Sequence, residues 1–127
     1  MEKTQVSKRI LLIDDDVVTN MINTRLIAKN FDFSVSAYTN AQEALDQFSQ
    51  WLRASPDMLP DVIFLDINMP MMDGWEFLTE FQKFPDLILG KCSVFLLTSS
   101  IDQDDIEKSK NYASVREFIS KHLHQLS

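Results

Sequence analysis

The sequence predicts an α/β fold in which five parallel strands form one sheet flanked by helices. Two observations predict this class: short apolar runs alternate with longer segments of helical periodicity, and a length of 127 residues suits a single domain. A hydrophobic content of 45% can fill one core. Because no linker, repeat or low-complexity stretch interrupts the pattern, we expect one domain over residues 1–127, without room for an output domain.

The five predicted strands are short runs that alternate with the helical segments. Four of them are apolar in succession and rich in β-branched or aromatic residues, as expected for strands that are buried on both faces of a sheet. The second is more polar. Their predicted bounds are Arg9–Ile13, Ser34–Tyr38, Val62–Leu65, Ser93–Leu97 and Arg116–Ile119.

The first two predicted helices each follow a residue that can cap a helix. After the first strand, Asp16 is placed to cap a helix, and the residues at helical spacing behind it are Val18, Met21, Ile22, Arg25, Leu26 and Lys29. The second helix is predicted to begin at Asn40, with Glu43 reaching back in a capping-box arrangement, and to end before Pro56.

The remaining helices are predicted from similar signals. A third helix follows Asp73 and Gly74, and Pro85 and Gly90 indicate a loop behind it. A fourth, strongly charged helix begins near Asp102. Every predicted strand is therefore separated from the next by helical sequence, which favours parallel pairing.

Charge and cysteine content exclude several classes of function. The formal net charge of -7 argues against general electrostatic binding to nucleic acid or to an anionic membrane surface. The single cysteine, Cys92, cannot form an internal disulfide and indicates an ordinary intracellular thiol. The apolar run Ile10–Ile13 is too short for a signal peptide or a membrane span. We therefore expect a cytoplasmic protein.

Carboxylates follow two of the predicted strands, at the edge where an open α/β sheet forms its binding crevice. Asp14, Asp15 and Asp16 follow the first strand, and Asp66 follows the third. If these strands are neighbours, the carboxylates crowd together, and a hard cation that prefers oxygen ligands, such as Mg²⁺, relieves their repulsion. Taken alone, the triple aspartate would suit a helix cap with two solvated neighbours.

Two further polar residues belong to the same predicted edge. Thr98 ends the fourth strand and Lys121 follows the fifth. Phosphoryl transfer depends on positioning, a metal, a cation and a hydroxyl or amide donor, and these residues complete that set. Taken separately, Thr98 would be interpreted as an ordinary strand-end residue and Lys121 as a surface lysine.

Four ordered motifs resemble the response-regulator receiver family of two-component signalling. They are Ile10–Asp16, Phe64–Gly74, Leu97–Ser99 and Phe118–Lys121, and together they span nearly the whole chain. The resemblance implies a flavodoxin-like fold with strand order 2-1-3-4-5. It also implies a phosphorelay function, in which a phosphoryl group passes from a phosphohistidine on a sensor histidine kinase or a histidine phosphotransfer protein.

The resemblance also assigns roles in phosphotransfer. By position, Asp66 matches the phosphoacceptor, Asp15 a direct ligand of Mg²⁺ or another divalent cation such as Mn²⁺, and Asp14 a ligand acting largely through water. Asn68 would offer its backbone carbonyl to the metal. Lys121 matches the ammonium that pairs with the phosphoryl group.

A second set of matching positions concerns the switch and the lifetime of the phosphoaspartate. Thr98 matches the switch hydroxyl and Phe118 the aromatic residue that turns between outward and inward rotamers. Asn68 and Ser100 match positions that tune hydrolysis. Gly74 matches the turn after Met-Pro.

The sequence departs from the family pattern at its C-terminal end. His122 stands where proline usually follows the lysine, and a cis bond before a non-proline residue costs about 2.5–4 kcal/mol, so we expect Lys121–His122 to be trans. Residues His122–Ser127 could form only a shortened C-terminal helix, at about 1.5 Å per residue. Apolar side chains of the first, fourth and fifth strands would then be exposed, and we expect a partner helix or a homodimer to cover them.

Other functions fit the motifs less well. A haloacid-dehalogenase-type phosphatase needs an aspartate two residues after the nucleophile, where this chain has Asn68. An EF-hand loop fails because Pro70 occupies its fifth position and the required glycine and glutamate are missing. We therefore expect no enzymatic activity beyond self-catalysed phosphotransfer and dephosphorylation. The alternative is a phosphate-independent interaction module with a receiver-like fold.

Overall fold

The five strands form one parallel sheet in the predicted order. Their bounds are β1 Arg9–Ile13, β2 Ser34–Tyr38, β3 Val62–Asp66, β4 Ser93–Thr98 and β5 Val115–Ser120, in a computed structural model that describes residues 8–98 and 102–120, without the side chain of Ser120. The order across the sheet is β2-β1-β3-β4-β5, with every pair of neighbours parallel. The predicted flavodoxin-like fold class is confirmed.

Helices connect the strands, and one of them was not predicted. The bounds are α1 Val17–Asn30, α2 Ala41–Ala54, α3 Gly74–Phe81, α4 Asp86–Lys91 and α5 Gln103–Ser109, with a 3-10 turn at Pro56–Met58. Among these described helices, none is long and apolar enough to cross a bilayer. The predicted shortened C-terminal helix lies outside the described residues.

Helix α4 occupies the segment that was predicted to be a loop on the evidence of Pro85 and Gly90. Pro85 stands at the N-cap position, where its missing N–H is no loss. Ile88 and Leu89 pack against the core, which stabilises this short helix despite its glycine. Tertiary burial therefore outweighs the local sequence signal.

The caps of the longer helices are partly as predicted. The Asp16 carboxylate accepts hydrogen bonds from the backbone N–H groups of the first turn of α1. Asn40 caps α2 by accepting from Glu43 N at 3.0 Å, but no return bond from Glu43 is formed between these two described residues. The complete capping box lies at α3, where Asp73 and Glu76 bond each other's backbone N–H groups at 2.9 and 3.0 Å.

The sheet has a core on each face because side chains alternate along every strand. Helices α2 and α3 cover the larger core, in which the ring centroids of Phe48 and Phe81 lie 5.1 Å apart. The strand residues of this core are Leu11, Ile13, Ile63, Leu65, Val94 and Leu96. Helix α1 covers the smaller core, formed by Ile10, Leu12, Ile27 and Leu97.

The expected exposure of the second face is not observed. Ile10, Leu12 and Leu97 are buried, and the neighbouring Phe64 and Ile119 are half-buried. The prediction that the apolar side chains of the first, fourth and fifth strands lie exposed on this face is therefore wrong.

Helix α1 presents a polar side to the sheet, contrary to what its apolar pattern suggests. Thr19, Asn20 and Asn23 are buried together with Ile27, whereas Val18, Met21 and Ile22 are exposed. The reason is that the Asn20 amide donates to two backbone carbonyls at the end of the sheet. Satisfying these carbonyls fixes the rotation of α1 about its axis.

Cys92 is a buried structural thiol. Its Sγ donates to the Pro60 carbonyl at 3.0 Å, and burial raises the pKa of the thiol to about 11. It is therefore protonated at neutral pH and chemically inert.

We predict that the α3 capping box contributes more stability than the single cap bond of α2. Asp73→Ala removes the bond that the Asp73 carboxylate accepts from Glu76 N and leaves the return bond to Glu76 without its reciprocal partner, so it should lower the free energy of unfolding by about 1–2 kcal/mol, whereas Asn40→Ala should cost about 0.5–1 kcal/mol. Urea unfolding measures both. Asp32→Ala, at an exposed loop position, is the control; a loss for Asp73→Ala no larger than the control's would contradict the prediction.

Candidate functional site

Three carboxylates converge at the carboxyl edge of the sheet. β1 and β3 are neighbours with Ile13 opposite Leu65, so Asp14 and Asp66 leave the sheet side by side. One carboxylate oxygen from each of Asp14, Asp15 and Asp66 lies within 4.8 Å of the others. Asp14 and Asp66 are each 1% exposed, whereas Asp15 is exposed. The predicted acidic site is thus assembled.

Backbone groups hold the two buried carboxylates in place. Asp14 Oδ1 accepts from Asp16 N at 2.8 Å, and Asp66 Oδ1 accepts from Asn68 N at 3.0 Å. Both bonds span two residues, the spacing of an Asx turn, and turn the chain away from the sheet directly after its strand. The carboxylates are consequently fixed by the same turns that end β1 and β3.

Asn20 supports the site and was not predicted from the sequence. Its Nδ2 donates to the carbonyl oxygens of Asp14 at 2.9 Å and Tyr38 at 3.1 Å. The Asp14 N–H donates to the same Tyr38 carbonyl at 3.0 Å. The sequence signal for this role is that Asn20 follows the acidic cluster by one helical turn. It lies on the side of α1 opposite the exposed apolar residues Val18, Met21 and Ile22.

Gly74 is required by a close approach between α3 and the loop after β3. A Cβ atom at this position would lie 2.8 Å from the carbonyl oxygen of Asp66 and 2.9 Å from Cα of Ile67. The Gly74 N–H also donates to the Ile67 carbonyl at 2.9 Å. The left-handed conformation in this loop belongs to Met71, with φ of 69°. Glycine is therefore needed at this turn because there is no space for a side chain, and not because the backbone has a positive φ.

Thr98 reaches the same edge from β4. Leu97 pairs with Asp66, so Thr98 lies one residue beyond the level of Asp66, and it is 4% exposed. Thr98 pairs with Ser120 and Leu96 with Phe118, which places Thr98 and Phe118 on the same face of adjacent strands.

Phe118 borders free space. It is half-buried and lines an open cleft of about 550 Å³ between α5 and β5, whose other lining residues include Ile106 and Tyr112. The Phe118 ring therefore has free space beside it, in the cleft between α5 and β5. Lys121, Ser100 and the Lys121–His122 peptide bond lie outside the described residues.

The donor set fits a hard divalent cation. All three converging side chains offer carboxylate oxygen, the ligand type that Mg²⁺ and Mn²⁺ share, and no described histidine or thiol joins the group. Asn68, two residues after Asp66, is exposed beside the cluster. The site can thus bind a metal and keep one side open to solvent.

The sheet order and this acidic crevice define a doubly wound α/β protein whose binding site lies at the carboxyl edge of its sheet. A sequence model of the response regulator receiver domain matches residues 10–126. The chain belongs to the response regulator receiver family of two-component signalling.

Solved and curated relatives agree with this placement. A two-component response regulator from Cytophaga hutchinsonii is 30% identical, with a TM-score of 0.82 over 91% of this chain and 86% of that one. Histidine kinase CKI1 of Arabidopsis thaliana is 27% identical over 94% of this chain. The CKI1 receiver domain complexed with Mg²⁺ is 25% identical, with a TM-score of 0.75 over 94% of this chain and 86% of that one.

The chain matches only a part of the longer relatives. It spans 11% of the CKI1 kinase and 22%, 24% and 10% of three other curated relatives. The likeness therefore concerns the receiver portion of those proteins.

We predict that Gly74→Ala distorts the metal site. The added methyl group meets backbone atoms, which cannot move aside as a flexible side chain could, so unfolding free energy should fall by about 1–3 kcal/mol and Mg²⁺ affinity should decrease. Urea unfolding and calorimetric Mg²⁺ titration measure the two effects.

Gly90→Ala is the matched control. Gly90 lies in α4 and a Cβ there has no described neighbour within 4 Å, so this change should be neutral or stabilise by up to about 1 kcal/mol and leave Mg²⁺ affinity unchanged. Equal behaviour of the two variants would argue against the close approach.

Proposed function

We propose that Asp66 accepts a phosphoryl group from a phosphohistidine in a reaction that requires Mg²⁺ or a similar divalent cation. The observation that carries this proposal is the convergence of Asp14, Asp15 and Asp66 within 4.8 Å at the carboxyl edge of the sheet. Membership of the receiver family supports it. The chain would act as a phosphorylated receiver of a two-component pathway.

The geometry suits Asp66 as the nucleophile. Asp66 is the last residue of β3, at the centre of the sheet, and the bond from Asn68 N limits the rotation of its carboxylate. A carboxylate oxygen attacks phosphorus, the bond from phosphorus to the imidazole nitrogen breaks, and the electron pair returns to the imidazole of the donor. The products are an acyl phosphate on Asp66 and an unphosphorylated histidine.

The other acidic residues would hold the cation. Asp15 is exposed and suits a direct ligand of the cation, whereas Asp14 is buried and suits a ligand acting through water. The backbone carbonyl of Asn68 would be a further ligand from the protein. When bound, the cation offsets negative charge on the transferring phosphoryl oxygens. Mg²⁺ in the solved CKI1 receiver complex supports this assignment.

Two groups would stabilise the phosphoryl group after transfer. Thr98 lies at the same sheet edge and can donate its hydroxyl hydrogen, and Lys121 would contribute an ammonium by its place in the sequence. Asn68 and Ser100 would tune the rate at which water removes the phosphoryl group. The reaction is self-catalysed and stoichiometric, so the protein signals without turning over a substrate.

The signal would be a change of surface at α5 and β5. Thr98 turning toward the phosphoryl group would leave space on the face that it shares with Phe118. Phe118, which borders the open cleft, would turn inward into that space and alter the cleft wall. The modification thus favours one of two arrangements of a bistable pair.

The partner would be a sensor histidine kinase or a histidine phosphotransfer protein. Such donors carry the phosphohistidine that the reaction consumes, and their phosphoryl group derives from ATP, so we propose a cytoplasmic site of action. A net charge of -7 argues against nucleic acid as a target.

We predict that Asp66→Asn abolishes phosphorylation because an amide is too weak a nucleophile to form the acyl phosphate. The protein is incubated with Mg²⁺ and acetyl phosphate, and the added phosphoryl group is detected by intact mass. Asp46→Asn, at an exposed position of α2, should behave like the wild type. A folded wild type that takes up no phosphoryl group would favour a phosphate-independent interaction module.

We predict that Thr98→Val uncouples Phe118 from the site because valine keeps the shape of threonine and lacks the hydroxyl. Beryllofluoride with Mg²⁺ should shift the Phe118 ring signals in aromatic NMR spectra of the wild type and of the exposed control Thr39→Val, but not of Thr98→Val. The NMR signals of the Phe118 ring are identified by their absence from the spectrum of Phe118→Leu. An unmoved Phe118 in the wild type, or an equal shift in Thr98→Val, would count against the switch.

A further inference from the structure

The two edges of the sheet differ in how well they are protected against pairing with another strand. β5 carries the exposed charged residues Arg116 and Glu117, and its register with β4 shifts between Val94 and Phe95. Charges and irregularities of this kind protect an edge strand. β2, at the opposite edge, is Ser-Val-Ser-Ala-Tyr over Ser34–Tyr38, without a charged residue, proline or glycine. The edge at β2 is therefore the one suited to pairing.

The backbone of β2 offers hydrogen-bonding groups along this edge. The Ser34 N–H donates to the Lys8 carbonyl at 2.9 Å, so Ser34 directs its backbone groups toward β1. Alternate residues of a strand direct their backbone groups to opposite sides, so those of Val35 and Ala37 point away from β1. Among the described strands, only β1 pairs with β2. Val35 and Ala37 thus offer two N–H and two C=O groups to a further strand.

Two apolar features lie at the two ends of β2. A groove of about 370 Å³ between β2 and α1 has a mainly apolar surface, and its lining residues include Ala37, Thr39 and Met21. Directly before β2, Phe31 and Phe33 form a stacked pair with ring centroids 4.9 Å apart, and Phe31 is 54% exposed. One end of the strand therefore carries exposed aromatic rings, and the other end carries a groove.

Two copies of β2 are complementary when they run antiparallel. A two-fold axis at Ser36 places Ser36 opposite its own copy, Ser34 opposite Tyr38, and Val35 opposite Ala37, so that all five strand residues are paired. In this register Val35 and Ala37 exchange backbone hydrogen bonds. No charged residue of one strand faces a charged residue of the other, so nothing in the strand opposes the pairing.

The same register brings the aromatic pair of one copy to the groove of the other. Phe33 comes opposite Thr39 of the second copy, and opposite residues of paired strands have their side chains on the same face. Phe33 packs with Val35 on the face that α1 covers, which is also the face of the groove. The two-fold axis repeats this contact. The offset between rings and groove therefore favours a second copy over the strand of an unrelated protein.

We propose that the chain forms a two-fold symmetric dimer in which the β2 edges pair antiparallel and join the two five-stranded sheets into one. The Phe31–Phe33 pair of each copy packs at the groove of the other. This inference goes beyond phosphotransfer and does not depend on it. Because the two sheets run in opposite directions, the acidic sites at their carboxyl edges lie at opposite ends of the joined sheet.

The first test places a charge on the open edge of the full chain. Ala37→Lys should raise the dimer dissociation constant by about tenfold or more, because lysine on an edge strand opposes pairing and the two-fold axis repeats it. Ala54→Lys, at the exposed end of α2, should leave this constant unchanged. Both variants change the formal net charge of -7 equally, so a difference between them reports position. Sedimentation velocity over a wide concentration range measures the constants.

The second test examines the register. Opposite residues that exchange no backbone hydrogen bonds have Cα atoms about 4.5 Å apart, which a disulfide can span. Mild oxidation should therefore link Ser36→Cys into a covalent dimer on a non-reducing gel. Ser34→Cys is the matched control, because its two copies would lie about 13 Å apart along the strands. It should link no more than the wild type, whose Cys92 is buried.

The two tests support or overturn the dimer independently. A wild type that dissociates more readily with Ala37→Lys alone, together with linkage of Ser36→Cys alone, supports the paired edge. A wild type that stays monomeric at the highest concentration, equal dissociation constants for the two lysine variants, or equal linkage of the two cysteine variants would each overturn it. Circular dichroism checks folding. Should Ala37→Lys fail to fold, linkage of Ser36→Cys, which replaces a single atom, still decides the proposal.

Discussion

Parallel pairing of β1 with β3 is the constraint on which the site depends. With Ile13 opposite Leu65, the next residues are two aspartates that must leave the sheet together. Their carboxylates repel each other, and the fold accommodates them with backbone N–H donors and an open side at the exposed Asp15. The architecture thus concentrates negative charge where a hard cation can bind, and packing energy from the two cores holds it there.

Sequence patterns were sufficient to predict the features that depend on residues close to one another in the chain. The strands were predicted to within one residue at each end from short runs between helical segments, and the acidic site followed from carboxylates placed directly after two predicted strands, since parallel strands end at one edge. The helix caps at Asp16 and Asn40 also depend on neighbours in sequence.

Features set by three-dimensional contacts could not be predicted in this way. The rotation of α1 is decided by Asn20, whose carbonyl partners lie 6 and 18 residues away in sequence. Helix α4 forms because Ile88 and Leu89 reach the core, although proline and glycine suggest a loop. Glycine is needed at position 74 because the backbone of Asp66 lies close to it, and no local sequence pattern predicts this approach.

The close contact of Gly74 with Asp66 places an indole near the acidic site. Trp75 is the next residue, 9% exposed, with its ring 5.9 Å from that of Tyr112 and 4.9 Å from the Lys108 ammonium. A shift of the Asp66 backbone would meet Gly74, the chain neighbour of this stacked ring, and the emission of an indole depends on its surroundings. The chain therefore carries its own optical reporter, and Trp51→Phe, which removes the other tryptophan, would let fluorescence follow events at the acidic crevice without an added dye.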